Sequence, residues 1–456
     1  MPQPTLKIDH AAFVLTLDDQ RRILRDASIV VDGQRISFVG RADAAANIAA
    51  DRVIDAAGFL VTPAFVNGHM HISYAHAVRG IFRDDFVGFE RLSEVFRLQS
   101  AMTADEEYAT SLLAIIELLK GGTVTFLDPG STKYLDVCLQ VYEDSGCRIV
   151  TGESLIDVES PLQLPRFPTD EALARTERVI RSYDHRLNDR VRVWAMPFGT
   201  DTATPQLLQG AKRLADTYET GLTLHHSSSE AIRRTHGLSA TALLESIGAL
   251  GPNVLLAHSF GIDADEVELI GRTNTPVVIC PSTAFKEGQG LGDRQVPELL
   301  QHGVNVGLGS DSANSSNYLD ALRAINAMAV GVKSSKHDVS LVPAEQALEM
   351  ATLFGARALG LGNQIGSIEV GKKADLVLFD TRRAEWRSLL DPVNNLVYSA
   401  DGRSVHTVIA DGRIVVENSR VTFADEAAVV DKVQAIGEAL VARTRTRVLG
   451  SRWPVD

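Results

Sequence analysis

Residues 59–71, FLVTPAFVNGHMH, are the most informative segment for predicting the fold of this chain. An apolar, β-rich run at 59–66 leads into two histidines, His69 and His71, that are separated by one residue. Side chains alternate along an extended segment, so both imidazoles project to the same side. The stretch therefore predicts a strand that ends in half of a metal site.

Three later segments repeat this pattern of an apolar run that ends in a residue able to bind a metal. Residues 221–224 lead into His225 and His226, 253–257 into His258, and 305–310 into Asp311. Four strand ends then offer nitrogen and oxygen ligands, the set that suits zinc and similar divalent ions. His226 is expected to point away from His225 and either to contact the residues behind the ligands or to pack.

The composition excludes several classes of protein. A formal charge of −13 opposes nucleic acid as a partner, and no basic stripe overcomes it locally. No apolar run reaches the ~20 residues that cross a bilayer, and the first residues lack a signal-peptide pattern. Three cysteines are too few and too scattered for a disulfide framework. We expect a cytoplasmic protein that acts on a small molecule.

Eight β-rich runs, most of them separated by amphipathic helical patterns, predict the architecture. They lie at 59–66, 123–127, 148–152, 191–196, 221–224, 254–257, 276–280 and 304–308. Strands that alternate with helices indicate an α/β protein with a parallel sheet, and eight repeats indicate a (β/α)8 TIM barrel. Active sites of such barrels lie at the C-terminal ends of the strands, where all the candidate ligands fall.

The segments outside the barrel alternate like short strands. We predict that residues 1–58 and 363–423 form the two parts of one small β-sandwich, that 59–362 form the barrel, and that 424–456 form a C-terminal helix and tail. The helix is expected from 425 to about 443.

Three motifs resemble the metal-dependent amidohydrolase superfamily. They are PAFVNGHMH at 63–71, LGSDSANSSN at 308–317, and ATLFGARALG at 351–360 followed by GSIEVGKKADL at 366–376. The resemblance is to the branch that contains cytosine, adenosine-analogue and guanine deaminases, triazine hydrolases, and phenylurea or thiocarbamate hydrolases. It extends over nearly the whole chain and implies a homo-oligomer.

The resemblance also implies site roles. His69, His71, His225 and Asp311 would hold one metal, and His258 would act on the substrate. Members with two metals bridge them with a carboxylated lysine after strand 3 or 4, and neither 148–157 nor 191–201 contains a lysine. We therefore expect one divalent ion, with zinc as the first choice, although Fe²⁺, Mn²⁺ and Co²⁺ accept the same ligands.

Two departures from the family pattern bear on the reaction. Deaminases carry a glutamate three residues after the strand 5 histidine, where this chain has Ser228, and Glu230 lies two residues further on. Deaminases and triazine hydrolases often have a Pro-His pair after strand 4, where Pro197 is here followed by Phe198. Two groups that protonate or hydrogen-bond amino-substituted heterocycles are thus missing.

The expected chemistry follows from the ligand set. A divalent ion with an open position lowers the pKa of bound water from 15.7 to about 7, so hydroxide is available to attack. Asp311 would then act as base and acid, and His258 would stabilise charge on a carbonyl oxygen. An exocyclic amidine carbon instead needs a protonated ring nitrogen, the task of the missing glutamate.

We therefore predict a metal-dependent hydrolase that cleaves a non-peptide C–N bond of a small amide, urea or carbamate. The alternative is a deaminase of an amino-substituted N-heterocycle, with Glu230 as the proton shuttle. A second alternative is a catalytically silent binding or scaffold homologue, which predicts an incomplete metal site.

The sequence also offers candidate substrate contacts near the strand ends. They are His76, Arg79, Glu153, Phe198, Ser228 and Glu230. His76 and Arg79 could equally anchor a loop, and Ser228 could hold a loop through bonds to the backbone. Asp128, Glu153 and Cys280 end other strands, but each could simply satisfy backbone amides. Phe198 is expected to form an apolar wall.

Overall fold

The computed structural model describes residues 5–160, 162 and 164–446. Residues 1–4 and the predicted tail from 447 onward lie outside the described residues. The strands are β1 (Leu6–Leu15), β2 (Ile23–Asp32), β3 (Arg35–Arg41), β4 (Arg52–Asp55), β5 (Phe59–Pro63), β6 (Phe65–Asn67), β7 (Thr123–Leu127), β8 (Arg148–Thr151), β9 (Ser154–Leu155), β10 (Val191–Val193), β11 (Met196–Pro197), β12 (Leu222–Ser227), β13 (Val254–Phe260), β14 (Val277–Ile279), β15 (Val306–Leu308), β16 (Leu376–Asp380), β17 (Val405–Ala410), β18 (Arg413–Glu417) and β19 (Arg420–Val421).

Helices separate most of these strands. They are α1 (Gly88–Ser100), α2 (Ala104–Lys120), α3 (Leu135–Ser145), α4 (Thr169–Tyr183), α5 (Arg186–Asp189), α6 (Pro205–Thr217), α7 (Glu230–His236), α8 (Ala240–Ser246), α9 (Ala264–Arg272), α10 (Pro281–Lys286), α11 (Val296–Gln301), α12 (Ala321–Lys336), α13 (Ala344–Met350), α14 (Leu353–Ala358), α15 (Pro392–Asn394) and α16 (Glu426–Thr444). Among the described helices, none is long and apolar enough to cross a membrane.

Two sets of four parallel strands form the centre of the molecule. One has the order β10-β8-β7-β6 and the other β12-β13-β14-β15. Backbone hydrogen bonds link the sets on one side, where the Ala195 amide donates to the Gly221 carbonyl at 2.9 Å. On the other side, the two sets are linked where the Gly68 amide donates to the Leu308 carbonyl at 2.8 Å. The α/β, TIM-barrel-like prediction is confirmed.

The prediction that residues 59–66 form a single strand is wrong. Its first half, β5, pairs with β1 and β16, whereas its second half, β6, pairs with β7. The chain crosses between the two sheets at Ala64, whose amide donates to the Asp375 carbonyl at 2.9 Å. Both halves are fully buried, so the hydrophobic pattern shows no break between them. The other seven predicted runs coincide with β7, β8, β10 and β12–β15.

The two terminal segments meet in one hydrogen-bonded sheet of nine strands. Its order is β19-β18-β17-β16-β5-β1-β2-β3, and β4 pairs with β1. β16 from the second segment lies antiparallel beside β5, with Leu376 opposite Pro63. The predicted association of the two segments is thus observed, while the two-layered sandwich form remains a prediction.

A group of buried charges ties this sheet to the N-terminal end of the parallel strands. Arg148, the first residue of β8, donates to Asp375 at 3.3 Å and to Asp411 at 3.2 Å. Lys373 lies 3.3 Å and Arg190 3.8 Å from Asp411. All five side chains are buried. We call these five residues the ionic cluster.

The predicted C-terminal helix is confirmed as α16. The Asp425 carboxylate accepts a hydrogen bond from the Ala428 amide at 3.2 Å and so caps the helix start. Val433 and Ile436 pack against Ala109 of α2. Arg443, near the helix end, forms an ion pair with Glu106 at 2.8 Å.

Candidate metal centre and active site

Five residues converge at the C-terminal ends of the parallel strands. His69 and His71 follow β6, His225 lies in β12, His258 in β13, and Asp311 follows β15. We call them the metal-side cluster. The ligand atoms of His69, His225 and His258 lie within 4.8 Å of one another, as do those of His69, His71 and Asp311. The structure brings together all five residues predicted for this site.

The spacing of these atoms fits a shared ion. His71 Nε2 lies 3.4 Å from His225 Nε2 and 3.4 Å from Asp311 Oδ1, and His69 Nε2 lies 4.0 Å from Asp311 Oδ1. Two ligands at about 2 Å from one zinc ion are roughly 3 to 3.5 Å apart in tetrahedral geometry. The cluster is therefore close to the dimensions that a zinc ion requires.

Unpartnered nitrogens are the second sign of a metal. His69 is completely buried, and neither of its ring nitrogens has a hydrogen-bond partner. His71 Nδ1 is also buried without a partner. Buried polar atoms in native proteins are almost always paired, because leaving them unpaired costs free energy. A metal ion bound by these imidazoles would supply the missing interaction.

The surroundings orient His225 for metal binding. Its Nδ1 donates to the Phe198 carbonyl oxygen at 2.7 Å, which leaves Nε2 free to face His71. Metal-binding histidines typically donate their second ring N–H in this way. The Phe198 ring also stacks on the His225 ring, with centroids 4.5 Å apart.

The backbone bends sharply at two cluster residues. His258 has a φ of 73° and Asp311 a φ of 59°, both in the left-handed region that non-glycine residues rarely adopt. The pairing of β12 with β13 shifts register beside His258. Such conformations collect at functional sites, where the surrounding structure holds them.

Burial sets the protonation of the cluster. It lowers the pKa of His71 and of His225 to about 4, and it lowers the pKa of His69 and His258 well below the usual range. Burial also raises the pKa of the Asp311 carboxyl. The imidazoles are thus neutral at physiological pH, the form in which histidine binds a metal.

Two cavities meet at this cluster. The metal-side cavity, of about 300 Å³, is lined by four of the five cluster residues together with Arg91, Phe96, Phe198, Glu287, Arg294 and Asn314. An outer cavity of about 610 Å³ shares His71, Phe96 and Phe198 with it. Two of the predicted contacts line these cavities, Phe198 in both and Glu153 in the outer one. Glu153 forms an ion pair there with Arg175.

His76 and Arg79 are not brought to either cavity by the part of the chain that the structure describes. Arg79 forms an ion pair with Glu117 of α2 instead, and His76 Nε2 lies 3.3 Å from the same carboxylate. The arrangement matches the loop-anchoring alternative, because the segment after β6 turns back onto α2.

Ser228 and Glu230 also lie away from the described cavity linings. The Ser228 amide donates to the Phe260 carbonyl at 3.0 Å. Glu230 is the first residue of α7, its side chain is 69% exposed, and its carboxylate faces Arg234 at 3.5 Å. The chain enters a helix directly after Ser229, which directs Glu230 to solvent and away from the cluster.

The remaining strand-end residues have structural surroundings. Asp128 accepts hydrogen bonds from the backbone amides and hydroxyls of Ser131 and Thr132. Cys280 is a buried thiol. His226 points away from the cluster, toward the hydroxyls of Ser259 and Thr241.

Several cavity residues were not singled out from the sequence, among them Arg91, Glu287, Arg294 and Asn314. Arg91 lies on α1 and forms an ion pair with Glu287, which directly follows α10. Only Asn314 carried a signal, because it lies in the motif at 308–317. The others lie on connections between strands, and the sequence alone does not show how these connections fold over the site.

Comparisons with known proteins agree with this geometry. The 5'-deoxyadenosine deaminase of Methanosarcina acetivorans is 32% identical over 437 residues, which cover 95% of this chain and 98% of the relative. The zinc-bound crystal structure of an adenosine deaminase from Xanthomonas campestris has a TM-score of 0.88 at 26% identity, covering 97% of this chain and 99% of that one. Atrazine chlorohydrolase from Arthrobacter aurescens, complexed with zinc, shares the fold with a TM-score of 0.87 at 24% identity, covering 95% of this chain and all of that one.

A family match completes the assignment. Residues 60–415 match the amidohydrolase family, and this span includes every residue of the metal-side cluster. With its histidine-rich metal site and its zinc-bound structural neighbours, the chain belongs to the amidohydrolase family and is a metal-dependent hydrolase of carbon–nitrogen bonds.

Proposed function

We propose that this enzyme hydrolyses the carbonyl C–N bond of a small amide, urea or carbamate. The observation that carries the proposal is the absence of a glutamate at the proton-shuttle position of deaminases. Ser228 occupies that position, and Glu230 is a solvent-exposed residue paired with Arg234. A carbonyl substrate does not need this proton, since its oxygen can be activated directly.

The proposed roles follow the geometry of the cluster. His69, His71, His225 and Asp311 would hold one divalent ion, with zinc as the first choice, and His258 would face the substrate. When bound, such an ion makes water a nucleophile at neutral pH and polarises a carbonyl oxygen. The Ser312 amide donates to Asp311 Oδ1 at 2.7 Å and so orients the carboxylate.

Asp311 and His258 carry the proton transfers and the charge stabilisation. The Asp311 carboxylate takes a proton from the attacking water and delivers it to the leaving nitrogen, in the manner of general base and then general acid catalysis. The neutral imidazole of His258 donates a hydrogen bond to the carbonyl oxygen as negative charge develops there, a contribution of roughly 3 kcal/mol for one donor. Phe198, stacked on His225, keeps one side of the site apolar.

Deamination of an amino-substituted N-heterocycle is the second candidate. The relatives at about one-third identity, named as deaminases of 5'-deoxyadenosine and similar nucleosides, favour it. Because Glu230 faces solvent, another carboxylate would have to protonate the ring. In the described lining of the metal-side cavity, Glu287 and Asp201 are the carboxylates besides Asp311, and Glu287 is paired with Arg91.

Product analysis distinguishes the candidates. Zinc-loaded protein and its His69→Ala variant are incubated with anilides, phenylureas, carbamates, 5'-deoxyadenosine and aminotriazines. We expect amine release from a carbonyl substrate by the wild-type protein only. Ammonia from a heterocycle would instead establish the deaminase. A protein that binds no zinc and releases neither product would support the silent binding or scaffold homologue.

Several predictions from the sequence belong to the same proposal. The hydrogen bonds at Ala195 and Gly68 support closure of the eight parallel strands into a (β/α)8 barrel. The domain limits 1–58, 59–362, 363–423 and 424–456 describe the chain as a barrel between two parts of a β-sandwich, with a C-terminal helix. Three free, buried cysteines support a cytoplasmic location, and the family resemblance supports a homo-oligomer.

A further inference from the structure

Arg294 is a buried guanidinium in the wall of the metal-side cavity. The residue is 2% exposed. One N–H donates to the His258 carbonyl at 3.0 Å and another to the Gln289 side chain at 2.7 Å, while Cζ lies 5.2 Å from the centre of the Phe260 ring. Its Nε is buried without a partner. The guanidinium is therefore held firmly by neutral groups, with donor capacity left over.

The charge of Arg294 is not matched by a carboxylate. Among the described residues, no ion pair within 4.0 Å includes Arg294, whereas Arg91 in the same cavity is paired with Glu287. Burial lowers the pKa of the Arg294 guanidinium, and the Asp293, Glu287 and Asp311 carboxylates, all beyond ion-pair distance, only partly oppose it. An unpaired buried charge is destabilising, so a ligand that supplies a negative charge beside it is bound more tightly than a neutral one.

Asn314 supplies an independent sign of a missing acceptor. The Ser312 hydroxyl donates to Asn314 Oδ1 at 2.6 Å, which occupies the carbonyl end of the amide. Nδ2, at the other end, is buried without a partner. Asn314 lines the same cavity as Arg294 but follows β15. Two residues that each carry an unpartnered donor, on separate connections, thus line one cavity.

We propose that Arg294, with Asn314 as a second donor, makes this cavity a binding site for a carboxylate on the substrate, close to the C–N bond that is cleaved. Arginine binds carboxylates with strong, charge-assisted hydrogen bonds. A cavity of about 300 Å³ holds a small acid. The substrate class is then amides, ureas or carbamates that carry a carboxylate. This inference rests on the proposed function for its choice of bond.

The test uses benzoate as the probe and benzyl alcohol as its neutral counterpart, with binding measured by calorimetry on zinc-loaded and metal-free protein. We expect benzoate to bind at least about tenfold more tightly, and to do so with or without zinc, because the interaction is with Arg294. Arg294→Gln should lose this preference. Arg294→Lys, which keeps the charge, should retain part of it.

Arg213→Gln is the matched control, since Arg213 is exposed on α6 and donates to Gln209. It removes the same charge far from the cavity and should leave the preference intact. Equal binding of the two probes to wild-type protein, or an undiminished preference in Arg294→Gln, would overturn the proposal. So would a preference that disappears with the zinc, because the ion would then be the anion site.

If Arg294→Gln does not fold, Arg294→Lys still tests the assignment through a reduced preference, and equal binding of the two probes to wild-type protein still overturns the proposal. The binding assay also involves no turnover. Tight benzoate binding by a protein that releases no amine would refute the proposed function alone, and amine release without benzoate preference would refute the carboxylate site alone.

Discussion

The two ends of the parallel strands hold contrasting groups of buried polar residues. In the ionic cluster, Asp375 and Asp411 pair with Arg148, Arg190 and Lys373, and Arg148 Nη1 is the one buried side-chain atom of this cluster without a hydrogen-bond partner. In the metal-side cluster, both nitrogens of His69 lack a partner. Buried polar groups stabilise a fold only when they are satisfied. The contrast indicates that one end was built for stability and the other to receive a ligand.

The contrast also predicts opposite responses to the same substitution. Removing one partner from the paired charges of the ionic cluster leaves an uncompensated buried charge. In metal-free protein, by contrast, removing the carboxylate of the metal-side cluster removes the free-energy cost of burying it. Aspartate to asparagine preserves the side-chain shape, so Asp311 and Asp375 form a matched pair for this comparison.

The largest effect is expected for Asp311→Asn. It removes a metal ligand and the proposed proton carrier, so we expect zinc content to fall and activity to decrease by roughly 10⁴-fold. The metal-free variant should unfold at a urea concentration equal to or higher than that of metal-free wild type, because burial raises the pKa of the Asp311 carboxyl. Metal analysis, turnover and urea unfolding measure these outcomes. A destabilised metal-free variant would contradict the comparison.

Asp375→Asn should lower stability and leave zinc binding and turnover unchanged, the opposite of what is expected for Asp311→Asn. It leaves Arg148 short of a counter-ion in a buried site, so we expect a loss of about 3 kcal/mol in the free energy of unfolding. Zinc content and turnover per folded molecule should stay at wild-type levels, since the ionic cluster lies at the other end of the strands. Lost zinc binding in a protein that remains folded would show that the two ends are not independent.

The pH dependence of stability gives a further test of the metal-side cluster. The pKa of His71 and of His225 is about 4 in the folded protein against an ordinary value of 6.5, because burial disfavours the imidazolium. Between pH 6.5 and 4 the unfolded chain takes up protons that the folded chain excludes. The stability of metal-free protein should therefore be fully present above this window and fall as the pH is lowered through it.

Urea unfolding of metal-free protein across this range measures the effect. His71→Gln, which removes one of the buried imidazoles, should show a shallower decrease than wild type. An unchanged slope in this variant would mean that His71 does not contribute to the pH dependence.

The smallest effect is expected for Glu230→Gln, at an exposed carboxylate that belongs to neither cluster. The side chain is 69% exposed and faces Arg234, so stability should change by less than about 0.5 kcal/mol. Turnover and its pH profile should match those of wild type. A large loss of ammonia-releasing activity would instead restore Glu230 as the proton shuttle and support the deaminase.

The sequence predicted the metal-side cluster because each member ends an apolar run. His69, His225, His258 and Asp311 are fixed by strand register, which a period-2 pattern reveals. It did not predict Arg294 or Glu287, whose positions depend on how the connections after β14 fold. His76 and Glu230 show the same difficulty, since nearness in sequence to a ligand does not give the direction of a side chain. The crossing at Ala64 stayed hidden because both sheets bury their strands.

Because the chain crosses between the two sheets at Ala64, the order in which its strands are synthesised affects how the sheets assemble. β5 leads directly into β6 and the first two histidines, and it lies between β1 and β16. On the ribosome, β1 is available from the start, but β16 emerges only after all the parallel strands have been made. Until then one edge of β5 has no strand beside it, and such edges invite pairing with other chains. The strand that leads into the first two ligands thus depends on a late-arriving strand for its protection.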